Sequence, residues 1–167
     1  MDETERQFTA GRRIELALYE PDMAPNVGTL MRLAACMDVA IHVIEPCGFP
    51  FSRRALKRTL MDYEPFVDLH HHADWQAFER DQQARKRRLV LTTTKSSVPY
   101  TEMSFQGSDT LLMGSESAGV PDFVHYAAAE RIRIPMRSGV RSLNVATAAS
   151  LILGEALRQT CGFETLA

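Results

Sequence analysis

Apolar positions along this chain come in short runs separated by amphipathic stretches, and that rhythm predicts strands and helices in turn. Ile14 to Tyr19 is a compact apolar run rich in strand-forming residues. Glu20-Pro21 and Pro25-Asn26 follow it, so it reads as a strand ending in a turn. Asn26 is a suitable cap for a helix from about Val27 to Met37, with Leu30, Leu33, Ala34 and Met37 on one face. Val39 to Ile44 predicts a second strand, stopped by Glu45-Pro46-Cys47-Gly48. Ser52 opens a helix to about Met61, and Phe66 to Leu69 reads as a short strand. Asp74 caps a helix through about Arg85. Leu89 to Thr92, Thr110 to Met113 and Arg131 to Ile134 read as strands, with a short helix over Pro121 to Tyr126. Ser142 is placed to cap a final helix reaching about Thr160 and ended by Gly162.

Strands alternating with helices imply an α/β fold: a mostly parallel sheet with helices on both faces. Ligands of such sheets bind outside the carboxyl ends of the strands, so the loops after Tyr19, Thr92, Met113 and Ile134 are the places to look. The final helix carries apolar residues on all sides, including Leu143, Val145, Ala149, Leu151, Ile152 and Leu153. A helix of that kind is buried. In a short chain, one of its sides is expected to be covered by a second copy of the protein.

Length changes this picture little: 167 residues suit one domain, read here as residues 13–167 behind a flexible leader of residues 1–12. No run approaches the roughly 20 apolar residues that span a bilayer, and the polar, acidic start is unlike a signal peptide. Cys36, Cys47 and Cys161 are scattered, with no metal-knuckle or redox spacing. A reduced, cytoplasmic setting is the simple reading. The net charge of −2 does not announce a nucleic-acid partner, but its distribution is informative. Arg53, Arg54, Lys57 and Arg58 form one stripe in the first turns of a helix, where positive charge opposes the dipole. Phosphate contact would explain that stripe, and a solvated face is the alternative. The run Arg85 to Arg88 ends a helix instead, where cations are favourable, and reads as structural. His70-His71-His72 invites a metal reading, but neighbours in a strand point to opposite sides and no second His or Cys pair completes a site. No metal is expected.

Three segments carry candidate chemistry. In Asn26-Val27-Gly28-Thr29-Leu30-Met31-Arg32, a capped helix with a surface arginine is one reading. The other is a site edge, with Gly28 permitting close backbone approach and Arg32 offering a planar fork to phosphate. In Met113-Gly114-Ser115-Glu116-Ser117-Ala118-Gly119-Val120-Pro121, small residues follow a buried strand. This is either a tight turn or a backbone cradle, with Glu116 facing a cationic or hydrogen-bond-donating ligand. Its spacing is not the dinucleotide fingerprint, which disfavours a nucleotide-dependent oxidoreductase. In Ile132-Arg133-Ile134-Pro135-Met136 with Arg141-Ser142-Leu143-Asn144, the proline forces the chain out of the sheet. Ser142 and Asn144 then sit beside the unpaired N–H groups of a helix start, for capping or for a ligand.

Taken together with Ile44-Glu45-Pro46-x-Gly48-Phe49, Asp62-Tyr63 and Thr93-Thr94-Lys95, these segments resemble the SPOUT (trefoil-knot) RNA methyltransferases. The similarity runs over about residues 14–163 and is strongest to the minimal subgroup that methylates the ribose 2′-hydroxyl of the tRNA wobble nucleotide. The resemblance implies a deep C-terminal trefoil knot, a rare exception to ordinary topology. It implies S-adenosyl-L-methionine as cofactor and S-adenosyl-L-homocysteine as product. It places the cofactor against Thr92, Met113, Gly114, Glu116, Gly119, Ile134, Ser142 and Leu143. It makes Arg32 the candidate catalytic residue, with Asn26, Glu116 and Asn144 expected to complete the catalytic set, and the basic residues Arg53, Arg54, Lys57, Arg58 and Arg141 are then the expected RNA-binding set. It also implies a homodimer with the active site at the subunit interface. The substrate implied is cytidine or uridine of leucine tRNAs. Methylation of another tRNA or rRNA ribose, or a non-catalytic knotted RNA-binding module, stands as the alternative. Two departures are visible: Cys36-Met37-Asp38 replaces a common Asn-Thr-Gly, and Gly154 stands where relatives can carry an aromatic.

Overall fold

The computed structural model describes residues 13–166, so the expected leader lies outside the described residues. Six strands form one sheet: β1 (Glu15–Tyr19), β2 (Ile41–Ile44), β3 (Leu69–His72), β4 (Arg88–Thr92), β5 (Asp109–Met113) and β6 (Glu130–Ile132). Their order across the sheet is β3-β2-β1-β5-β4-β6, and every pairing is parallel. Among the described residues four α-helices lie between strands, α1 (Ala24–Cys36), α2 (Arg53–Leu60), α3 (Trp75–Ala84) and α4 (Asp122–Ala127), and a fifth, α5 (Val145–Gln159), follows β6.

Alternation along β1 shows how the sheet is covered. Leu16 and Leu18 face a core shared with Val27, Leu30, Met31 and Ala34 of α1 and Ala149, Ile152, Leu153 and Ala156 of α5. Ala17 and Tyr19 face the other side, where Trp75 and Phe78 of α3 and Val124 of α4 complete a second core. Strands apolar on both faces are what a doubly covered parallel sheet requires.

Several boundaries differ from the pattern-based reading. Helix α1 starts at Ala24, with Met23 in the cap position and Pro25 in its first turn, so Asn26 lies inside the helix and is not its cap. Proline fits there because the first N–H groups have no intrahelical acceptor. The cap of α5 is Asn144, whose Oδ1 accepts from Ala146 N at 2.9 Å and Thr147 N at 3.3 Å; Ser142 lies outside the helix. The third strand is Leu69–His72, because Met61–Phe66 winds as a 3-10 segment containing Pro65. Ser52 and Asp74 cap as expected, accepting from Ala55 N and Ala77 N.

The run Arg85 to Arg88 is structural. Arg85 pairs with Glu15 at 2.7 Å and Asp81 at 2.8 Å, and Arg88 pairs with the buried carboxylate of Asp109 at 2.6 Å. Arg87 reaches the backbone oxygens of Arg13 and Asp109. The turn Cys36-Met37-Asp38 places Asp38 at φ 49°, a left-handed conformation that a short polar side chain tolerates. A Cβ on Gly154 would meet open space, so nothing among the described residues requires glycine there.

Candidate active site

The carboxyl ends of β4, β5 and β6 open into a cavity of about 540 Å³, within the ordinary range for a small-molecule site. Thr92, Met113, Gly114, Glu116, Gly119, Ile134, Ser142 and Leu143 all line it, as do Asn26, Arg141 and Asn144. Reading the sequence singled out less of the wall formed by Met23, Ala118, His125 and Met136. Met23 and His125 belong to no motif, and only the packing of the loops reveals them; Ala118 and Met136 sit inside the segments after β5 and β6 but carry no polar group to mark them.

A hydrogen-bonded chain ties three loops together at the rim. Asn144 Nδ2 donates to Asn26 Oδ1 at 3.0 Å, and Asn26 Nδ2 donates to Glu116 Oε1 at 2.9 Å. Glu116 Oε2 accepts from the backbone N–H of Asp22 at 2.9 Å. Asp22 returns the link, its carboxylate accepting from Ser117 N at 2.8 Å. Those bonds from Ser117 hold the Asp22 carboxyl below its usual range. Both oxygens of Glu116 are therefore occupied by protein donors. Glu116 ties the loops together and, exposed at the cavity, keeps acceptor capacity towards it. Asp22 went unnoticed because a lone aspartate after proline reads as an ordinary turn residue.

The loop after β5 is shaped by glycine. Ser115 and Gly119 bond to each other through both backbone N–H groups, at 3.0 and 2.9 Å, closing a tight loop. Gly119 takes φ 67°, a left-handed conformation. A Cβ on Gly114 would stand 2.8 Å from the Gly119 carbonyl carbon and 3.0 Å from its Cα. Beside this cradle the Thr92 hydroxyl is buried and has no hydrogen-bond partner among the described residues. A buried hydroxyl without a partner is costly, so a polar ligand that pairs with it would be favoured. Small side chains, exposed backbone edges and an unpaired hydroxyl fit S-adenosylmethionine, which has adenine, ribose and amino-acid polar groups.

Arg32 is not at this cavity. It lies on the exposed side of α1, its guanidinium 4.4 Å from the centroid of the Tyr63 ring. Gly28, one turn before it, is buried against α2: a Cβ there would stand 2.4 Å from Thr59 Cγ2. The close approach expected at Gly28 is thus made by a neighbouring helix and not by a ligand. The basic stripe sits on α2, away from the cavity, with Arg54 and Arg58 exposed; the side chains of Arg53 and Lys57 lie outside the described residues.

The histidine run has a partner that sequence spacing could not show. In register β2 sets His42 beside His70 and His72 lies one step on, with His42 Nδ1 2.9 Å from His72 Nε2. His42 Nε2 lies 2.9 Å from Glu15 Oε2, and Asp81 is close enough to make a potential three-ligand group. Arg85 already engages Glu15 and Asp81, so the cluster is a closed polar network against the second core. Burial opposes charge on Glu15, but hydrogen bonds from His42 and Arg85 outweigh it and hold its carboxyl at about 2. Burial pushes the His72 imidazole down to about 4 and lowers His42 as well. Burial also pushes the Cys47 thiol up to about 12, so this thiol is held as the neutral, unreactive form. No helix among the described residues is long and apolar enough to cross a membrane.

Comparison with known proteins places this geometry. A tRNA (cytidine(34)-2'-O)-methyltransferase of Ancylobacter novellus is 50% identical over 150 residues, covering 90% of this chain and 95% of that protein. A structure solved for insights into the 2-OH methylation of C/U34 on tRNA matches with TM-score 0.81 and 36% identity, covering 89% of this chain and 97% of the other. The AdoMet-bound rRNA methyltransferase of Sinorhizobium meliloti matches with TM-score 0.77 and 29% identity, covering 87% of this chain and 56% of the other. The sequence pattern of the SpoU rRNA Methylase family matches residues 13–154, and this chain belongs to that family.

Proposed function

We propose that this protein transfers the methyl group of S-adenosylmethionine to the ribose 2′-hydroxyl of the wobble nucleotide, cytidine or uridine, of tRNA, with leucine isoacceptors as substrates. The observation that carries this reading is the cavity at the strand ends, where the Gly114–Gly119 cradle and the unpartnered Thr92 hydroxyl meet the Asn26–Glu116–Asn144 chain. Near-full-length similarity to a methyltransferase named for position 34 of tRNA supports the substrate. The cofactor would be held by backbone groups around Thr92, Gly114, Ile134 and Ser142, with Met113, Gly119 and Leu143 completing the walls. When bound, it supplies an already activated methyl group, so the reading needs no metal. In this reading the last segment, through Ser142 and Asn144, forms the trefoil knot around that cradle.

The chain's own task is alignment and charge stabilisation. Positioning alone can supply on the order of 7–11 kcal/mol of barrier reduction. Asn26, Glu116 and Asn144 fix the rim against which the ribose would lie. Arg32 is a guanidinium and stays protonated, so it does not serve as a simple base. It clamps a substrate phosphate and stabilises the developing alkoxide, while the 2′-hydroxyl proton passes to that phosphate or to water and S-adenosyl-L-homocysteine is the product released. Its distance from its own cavity supports a homodimer in which it serves the partner's cofactor site. The outward side of α5, with Thr147, Ser150 and Leu151 exposed, is the surface for that contact. Arg54, Arg58 and Arg141, with Arg53 and Lys57, would engage the RNA backbone in the cytoplasm.

Mass mapping of tRNA incubated with the protein and S-adenosylmethionine tests the substrate. Methylation of the wobble ribose is expected, and its absence on every tRNA offered refutes the reading. Arg32→Ala is expected to abolish methyl transfer while calorimetry shows cofactor affinity unchanged. Equal loss of both would refute the division of roles.

A further inference from the structure

Arg32 is held in an unusual way for an arginine with a proposed task. No ion pair or side-chain hydrogen bond among the described residues engages it; the contact it makes is with the face of Tyr63, 4.4 Å from the ring centroid. A carboxylate partner would also fix a guanidinium, but it would occupy the donors and offset the charge. An aromatic face attracts the cation through its quadrupole and leaves the N–H edge free. That is the arrangement a phosphate-binding arginine needs.

The position of the ring is itself well determined. Tyr63 is partly buried in the 3-10 segment Met61–Phe66, which continues directly from α2. Leu60 anchors the junction, 3% exposed, and Met61 turns the chain at φ 47°. Gly28 and Arg32 are one helical turn apart, so they share a face of α1. The absent side chain at Gly28 lets Thr59 of α2 press against that face. The same approach sets Tyr63 beneath Arg32. The helix bearing the exposed cations Arg54 and Arg58 thus runs directly into the 3-10 segment that carries the platform for Arg32.

We propose that Tyr63 is a positioning residue for methyl transfer: its ring holds the Arg32 guanidinium with the donor edge free for an RNA phosphate, and so couples RNA docking on α2 to the presentation of Arg32. The proposal rests on the reading of Arg32 given above.

The test replaces Tyr63 by Phe, by Leu, and by mono-, di- and trifluorinated phenylalanine, and measures kcat/KM on a tRNA anticodon stem-loop at saturating S-adenosylmethionine. Tyr63→Phe is expected to stay within about twofold. Tyr63→Leu is expected to lose roughly 3- to 30-fold, the range of an aromatic-cation contact. Successive fluorination should lower log(kcat/KM) stepwise, with cofactor affinity and Tm unchanged. Packing alone would not produce that series, because ring volume is nearly constant while the quadrupole weakens. A flat fluorine series, with Arg32→Ala inactive, overturns this inference and leaves the role of Arg32 standing. An active Arg32→Ala variant overturns the role of Arg32 and this inference with it.

Discussion

Asn144 performs two tasks through the two ends of one amide, and two substitutions separate them. Its oxygen caps α5, and its nitrogen donates to Asn26. Asn144→Ala removes both. Loss of a cap costs about 1 kcal/mol and loss of one exposed side-chain hydrogen bond about 1 kcal/mol more. In a chain of this size each kcal/mol lowers Tm by roughly 2–4 °C, so a fall of about 4–8 °C is expected. Asn144→Asp keeps the cap, and its negative charge suits the helix N-terminus. Its Tm should stay within about 2 °C of the parent. The donor, however, is gone. Asn26 then has one amide nitrogen to share between the carboxylates of Glu116 and residue 144, and one of these is left facing its oxygen. The rim loosens at the point where the loops after β1 and β5 meet α5. Affinity for S-adenosylmethionine should fall about tenfold, from a penalty of about 1.4 kcal/mol for the unpaired group.

Thermal unfolding without cofactor and isothermal calorimetry with it read the two quantities separately. The expected pattern is crossed: Asn144→Ala loses both stability and affinity, and Asn144→Asp loses affinity alone. An Asn144→Asp variant as unstable as Asn144→Ala would show that the cap is not what Asn144 contributes. An Asn144→Asp variant with parental affinity would show that the bond to Asn26 does not organise the site.

Two further outcomes follow from the cradle and from the buried His42 with its half-buried neighbour His72. Gly114→Ala puts a methyl 2.8 Å from a backbone carbon, which cannot rotate away, so the loop must shift; overpacking costs about 1–3 kcal/mol and cofactor binding should be lost in calorimetry, whereas parental affinity would refute the cradle. Stability should also depend on pH through the cluster beneath β2. His72 is depressed to about 4 from an ordinary 6.5 and His42 is depressed as well, so the unfolded chain binds protons that the folded chain refuses. That contribution is fully present above about pH 6.5 and is lost as pH falls towards 4. Glu15, held at about 2 against an ordinary 4.5, adds a second loss below about pH 4.5. Urea midpoints should therefore be level above pH 7 and decline below 6.5, more steeply below 4.5; a midpoint constant from pH 7.5 to 5 would refute the sign of the histidine effect.

The fold was largely legible in the sequence because strand and helix periods differ and both faces of the sheet are apolar. Leu16 with Leu18 and Ala17 with Tyr19 serve opposite cores, and a continuous apolar run is how that looks in sequence. Failures came where local chemistry admits two answers. Asn26 resembles a cap, but Pro25 lets the helix begin earlier, and the Asn26 side chain is spent on Glu116, 90 residues away. The third strand was misplaced because His70, His71 and His72 look polar, while Phe66 belongs to a 3-10 turn and is 71% exposed. The loops that line the cavity were visible through their glycines and the proline after β6. The unpartnered Thr92 hydroxyl, the engagement of Glu116 by Asp22 and the meeting of His42 with His72 were not, because each depends on pairing between distant strands.

That dependence explains why the rim is polar. Helices α1 and α5 are already packed through Leu30, Ala34, Ile152 and Ala156, and apolar contact fixes their separation without fixing their ends. A hydrophobic rim would hold the loops together but tolerate sliding, since the hydrophobic effect has no direction. Hydrogen bonds between Asn144, Asn26 and Glu116 are directional, each worth only about 1 kcal/mol net. Their value lies in geometry: they join segments separated by 118 and 90 residues at distances of 3.0 and 2.9 Å. A methyl transfer that relies on alignment needs that registration more than it needs added stability. The loops after β5 and β6 therefore cannot form the site alone: the strand order sets β1 beside β5, the turn after β1 supplies Asp22, and the first turn of α1 supplies Asn26 to lock it.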